Sequence, residues 1–128
     1  MEVMKRMKKK IKKQSEQIKF ALTGTQVYGP VTASSDVDIV MLFTDAKTIS
    51  DILESHDIPI YQNEKMREGN YTGFYFDIGV VTINIICVDD ERGLRQWKDA
   101  TDEMLTHPVI EDKEKRKKTF QEIFKSLA

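Results

Sequence analysis

The chain has 128 residues, 40% of them apolar and 32% charged, and a formal net charge of −1. That length suits a single domain, residues 1–128, with a sizeable core, and the composition is that of a globular protein. There is no run of about 18 apolar residues to span a membrane, the lysine-rich start lacks the apolar stretch of a secretory signal, and the single Cys87 rules out an intramolecular disulfide, so a cytoplasmic location without membrane partners is expected.

Charge is unevenly distributed. Residues 1–19 hold eight Lys or Arg and two Glu, a local +6, leaving −7 for the remainder. Met4, Met7, Ile11 and Ile18 fall at helical spacing, which predicts a helix over 2–16, docked by that stripe with its lysines in water. Such a helix can also touch a nucleic-acid backbone. A strand follows over 19–23, then a turn with a short helix over 24–29 that Pro30 stops. Residues 37–43 form a strand that is nearly continuous in apolar residues, as a buried strand should be. Thr44 or Asp45 can cap a helix running to about Ser55, with Ile49, Ile52 and Leu53 inward.

A short strand over 58–61 and a polar loop over 62–72 come next. Residues 73–76 and 80–88 are rich in β-formers and read as a hairpin around Asp77-Ile78-Gly79. Asp89 or Asp90 can cap a helix carrying Leu94, Trp97, Thr101 and Met104, which ends near Thr106 because His107 precedes Pro108. The last helix begins near Glu111 and carries the stripe Phe120, Ile123, Phe124 and Leu127. The order predicts an α+β domain: a mixed sheet of four to five strands, helices packed on one side, an N-terminal helix and two C-terminal helices.

The chemistry concentrates between residues 22 and 43. A short apolar run ends at Gly24-Thr25, Gly29 follows, and Ser34-Ser35-Asp36-Val37-Asp38 opens the next strand. Side chains at i and i+2 of a strand share a face about 6.5 Å apart, so Asp36 and Asp38 can hold a hard cation together. Mg²⁺ is the usual choice where phosphates supply further ligands, with Mn²⁺ the alternative. The glycines permit positive φ and close backbone approach, and a turn offering N–H groups and a hydroxyl suits a phosphate. No G-x-x-x-x-G-K-[ST] loop is present.

Gly24, Thr25, Gly29, Asp36 and Asp38, at this spacing and between two strands, resemble the signature of the polymerase-β-like nucleotidyltransferase superfamily, with Thr25 where Ser is more usual. The resemblance covers roughly residues 15–90. It implies a nucleotidyltransferase fold, with Gly24, Thr25, Gly29 and Ser35 on a nucleoside triphosphate and Asp36 and Asp38 on the metal. It also implies transfer of a nucleoside monophosphate to a hydroxyl on a small molecule, protein or RNA. The chain has no large second domain, so the acceptor site would come from the C-terminal helices, a second copy in a homodimer or a partner protein.

The family carries a third acid on a later strand beside the Asp pair. The matching run, residues 81–87, has Asn84 there. Asn is neutral and cannot act as a general base, so Asn84 implies retained nucleotide binding with weakened transfer. That opens a second class of function: a degenerate nucleotide-binding module, a sensor or half of a toxin–antitoxin pair. If Ile78-Gly79 make the hairpin turn, Asp77 shares the face of Asn84 but lies about 13 Å away, too far to share a metal. Asp89 and Asp90 suit a helix cap. His56 and His107 have no metal-spaced partners, and Cys87 should be buried and inert. Trp97 reads as core. Once the motif is assigned, an acceptor or partner is expected on Tyr61, Lys65, Arg67, Tyr71 or Trp97 rather than on the lysines of residues 5–13, with Tyr75 a further ring able to stack a base.

Overall fold

The computed structural model describes residues 19–32, 36–62 and 72–128. The helix expected over 2–16, Ser35, Lys65, Arg67 and Tyr71 lie outside the described residues. Five strands form one sheet: β1 (Phe20–Thr23), β2 (Val37–Leu42), β3 (Tyr61–Gln62), β4 (Thr72–Ile78) and β5 (Val81–Val88). Their spatial order is β1-β2-β5-β4-β3. The central pair β2–β5 is parallel and the other pairs are antiparallel. Among the described residues there are four helices: α1 (Thr25–Tyr28), α2 (Phe43–Ser55), α3 (Glu91–Met104) and α4 (Lys113–Ser126). None of these is long and apolar enough to cross a membrane.

The central strands are apolar on both faces because both faces are covered. Ala46 and Leu53 of α2 pack with Met41, Phe74, Phe76, Ile85 and Cys87 on one face. Leu94 and Trp97 of α3 pack on Val40, Ile86 and Val88 on the other. There α4 joins as an outer layer, closing Phe120 over Ala100 and Met104. The expectation of helices on one side alone is therefore corrected. A strand such as β5, whose Ile85, Ile86, Cys87 and Val88 are all buried, presents two apolar surfaces, and each must be removed from water.

Several local readings shift as well. Phe43 opens α2 rather than ending β2, and the N-cap is Leu42 with no side-chain cap, so neither Thr44 nor Asp45 serves. Ile52 is exposed, and Ala46 takes an inward place beside Leu53. The third strand falls at Tyr61–Gln62, while Ile58 and Ile60 fill the core beside it. The cap of α3 is Asp90, whose Oδ1 accepts the Gly93 N–H at 2.8 Å. Leu127 is the exposed C-cap of α4.

The hairpin closes at Gly79-Val80, with Ile78 paired to Val81. Gly79 has φ 62, and a two-residue turn with glycine first matches the strand twist. That turn moves the whole register by two residues from an Ile78-Gly79 turn. Tyr75, not Gly73, opposes Asn84, and Asp77 opposes Thr82.

Candidate functional site

The site is built where β1 hands over to α1. Gly24 there has φ 77 and ψ −168, a region that only glycine occupies at ease. A Cβ on Gly24 would overlap Oδ2 of Asp38. The glycine thus serves two ends, the sharp exit from β1 and the close seat of a carboxylate. Thr25 begins α1 at the next position.

Register brings the remaining residues together. Thr23 pairs with Asp38 across β1–β2, and Asp38 pairs with Asn84 across β2–β5. Asn84 Nδ2 donates to Asp38 Oδ1 at 3.0 Å and to Asp36 Oδ2 at 3.1 Å. One amide group therefore spends its two hydrogens on two carboxylates and holds them side by side. Hydrogen bonds to charged acceptors are the stronger kind, about 1.5–3 kcal/mol each.

Asp36 is exposed and Asp38 half-buried. Burial holds the Asp38 carboxyl above the ordinary carboxylate range; the Asn84 hydrogen bond acts against this, and the charge of Asp36 adds to it. The net result is a carboxylate that is short of positive charge. Tyr28, on α1, is a neighbour that sequence reasoning missed. Its phenol is pushed up to about 12, by burial first, then by the charge of Asp38, with Arg116 opposing. Its ring stacks on Phe120 at 5.9 Å, which ties α1 to α4. Arg116 is anchored by donating through Nη1 to the carbonyls of Ile110 at 2.9 Å and Glu111 at 3.2 Å.

A second missed feature lies beneath the carboxylates. Thr23 and Thr101 are each 2% exposed, with their hydroxyl oxygens 2.6 Å apart. Thr101 donates to the carbonyl of Trp97 at 2.8 Å, so Thr23 is the donor between the two hydroxyls. The pair pins α3 to the end of β1, next to Gly24. Its sequence signal was a hydroxyl inside the apolar stripe Leu94, Trp97, Thr101, Met104.

Other expected residues are not drawn in. Gly29 ends α1, its N–H donating to the Thr25 carbonyl at 2.9 Å, and a Cβ there would meet the Val31 backbone and Val109 rather than either carboxylate. It serves the turn, at φ 63. Asp77 lies diagonally from Asn84, about 7–8 Å away, rather than the distance the other register implied. Its Oδ1 accepts the Thr82 hydroxyl at 2.7 Å. Trp97 packs with Phe120 and Phe124, at 5.3 and 5.0 Å between ring centres. Cys87 is buried, and His56 and His107 are exposed.

Among the described residues, no group of three or more His, Cys, Asp or Glu gathers as a metal cage. Two adjacent carboxylates, one of them half-buried at a cost in charge, do fit a single hard cation that draws its other ligands from water and phosphate oxygens. In comparisons with known proteins, the chain matches no family model, no curated protein and no solved structure.

Proposed function

We propose that the chain binds a nucleoside triphosphate together with Mg²⁺ or Mn²⁺ and transfers its nucleoside monophosphate to a hydroxyl acceptor, as a small nucleotidyltransferase-like protein. The observation that carries this reading is the joint placement of Gly24, Asp36, Asp38 and Asn84 on one end of the sheet, with the glycine backbone pressed against the Asp38 carboxylate. Gly24 and Thr25 would take the phosphates, and Asp36 and Asp38 would hold the metal. When bound, the cation would supply charge neutralisation on the phosphates. In the transfer, the acceptor oxygen bonds to the α-phosphorus, the α–β phosphoanhydride bond breaks, pyrophosphate leaves, and the hydroxyl proton passes to water.

Asn84 favours a second reading. Its amide cannot take a proton, and it already bridges both carboxylates, so the same site suits a nucleotide-binding module that does not turn over. Calorimetric titration with the common nucleotides, with and without Mg²⁺, tests the shared premise: binding that is absent, or unchanged in Asp36→Ala/Asp38→Ala, refutes both. Pyrophosphate release by the native chain and by Asn84→Asp separates them. Release by either form supports the enzyme, and silence in both across broad acceptors supports the module.

A further inference from the structure

Strand β1 reads Phe20-Ala21-Leu22-Thr23, with no charged residue to guard the sheet edge. Successive side chains leave opposite faces. On one face Thr23 meets Thr101 of α3, and Lys19, just before the strand, pairs with Glu91 of α3 at 2.6 Å, so α3 covers that side. Phe20 and Leu22 point the other way. They pair with Met41 and Ile39, which belong to the core under α2, yet they are 56% and 51% exposed. The reason is the reach of α2, which packs on β2 and β5 but not on β1. β2 and β5 are parallel neighbours joined through α2, and such crossovers are right-handed. With that hand, and about 100° per residue, the flank of α2 towards β1 carries Asp45 and Ile52, the latter 49% exposed. The outer face of β1 and this flank of α2 form an apolar groove along the sheet edge, and no described residue fills it.

We infer that this groove is the seat of the chain's own residues 2–16, docked as a helix antiparallel to α2 through Met4, Met7, Ile11 and Ile18. Position, size and charge all select this occupant. The segment leads directly into β1, and a short helix-to-strand link of about 2–6 residues returns a helix over the strand that follows it. With α3 on one face of β1, the groove is the face that remains. Packed helices stand about 8–10 Å apart, which is about two strand spacings. A helix set that far from α2, which lies over β2 and β5, lands over β1. A helix over 2–16 is about 22 Å long, enough to cover both Phe20 and Leu22 and to run along Ile52. Residues 1–19 carry +6 against −7 in the remainder, so the body of the chain attracts the segment, and Asp45 stands on the groove wall. A second copy would bring the same stripe, but the tethered one is present at an effective concentration on the order of millimolar. Docked there, the lysines stand on the α2 side of the sheet, whereas Asp38 and Asn84 project on the side of Val40 and Ile86, under α3. The basic surface and the carboxylates therefore face opposite ways.

The test is oxidation of the full chain by hydrogen peroxide, read as methionine sulfoxide by peptide mass mapping. A docked stripe shields Met4 and Met7, which should oxidise at least about tenfold more slowly in the native chain than in urea, as groups exposed only by local opening do. Phe20→Ser/Leu22→Ser/Ile52→Ser changes three exposed positions and should bring Met4 and Met7 close to the urea rate. The buried Met41 and Met104 should stay slow, which shows that the domain is still folded. Met4 and Met7 oxidising at the urea rate in the native chain overturn the inference without any variant. So does protection that persists in the triple variant while Met41 and Met104 stay slow. If Met41 and Met104 become fast as well, a thiol pair decides. Ile11→Cys/Leu22→Cys, beside a buried Cys87, should close a disulfide within one chain under mild oxidation. Lys9→Cys/Leu22→Cys, which puts the thiol on the far side of the helix, should not. Bridging that is equal in the two pairs, or that forms only between chains, overturns the inference. None of these outcomes depends on what Asp36 and Asp38 bind.

Discussion

Replacing Asn84 by Asp probes the site with one atom's change in composition. The Nδ2 group that donates to Asp36 and Asp38 at 3.1 and 3.0 Å becomes an oxygen facing two carboxylate oxygens. Two hydrogen bonds to charged acceptors are lost, about 3–6 kcal/mol at 1.5–3 each. In their place stand like charges about 3 Å apart, worth roughly 5 kcal/mol of repulsion per pair at an effective dielectric constant near 20. The cluster limits the damage by keeping a proton, so the loss should sit near the lower figure, about 3 kcal/mol. At roughly 3–5 °C per kcal/mol for a domain of this size, the melting temperature in chelator at pH 8 should fall by about 10 °C or more. The sign with pH follows. A cluster with raised pKa values has its full stability below the unfolded values and loses it as the pH rises through the folded ones, so the deficit shrinks towards pH 4. A divalent cation at about one hundred times its dissociation constant for the variant should stabilise the variant by about 2.7 kcal/mol, more than it stabilises the native chain at the same concentration. Scanning calorimetry with and without Mg²⁺ measures all of this. A melting temperature within about 2 °C of native at pH 8 in chelator would refute the bridging role of Asn84.

Gly24→Ala should cost about 1–3 kcal/mol for the backbone alone and abolish nucleotide–Mg²⁺ binding by displacing Asp38. Gly79→Ala, at a similar φ with nothing within 4 Å of the added Cβ, should lower the melting temperature yet leave nucleotide binding intact, and equal binding by the two variants would contradict the close seat of Asp38. Thr101→Val strands the buried Thr23 hydroxyl and should lose about 1–3 kcal/mol in denaturant unfolding, whereas Thr23→Val/Thr101→Val should recover most of it; additive losses would argue against the pair. Asp38→Asn removes a carboxylate whose burial holds its pKa above the ordinary 3.8. The native chain loses that contribution as pH rises through the raised value, so in chelator the variant should be the more stable at pH 7 and the advantage should vanish below pH 4, as thermal melts across pH would show.

Much of this protein was written locally. The apolar runs of residues 37–42 and 81–88, the stripe of α3 and its Asp90 cap, and the glycine turn before Asp36-x-Asp38 are short-range patterns, set by alternation, helical period and the conformational freedom of glycine. The apolar run of β5 did not say how many layers cover it: helices were expected on one side, and only the docking of α2 against Phe74 and Phe76 opposite α3 decided for two. Hairpin register likewise turns on which residue of Ile78, Gly79 and Val80 occupies the first turn position. One step there sets Tyr75 opposite Asn84 and brings Asp77 from four residues along to the diagonal position beside it. The site depends most on long-range placement. Asp38 and Asn84 stand 46 positions apart in the chain, Thr23 and Thr101 stand 78 apart, and they meet by strand pairing and helix docking. Sequence specifies which side chains can donate, accept or ionise; the distances that make one amide bridge two carboxylates arise only when the parallel strands β2 and β5 close side by side.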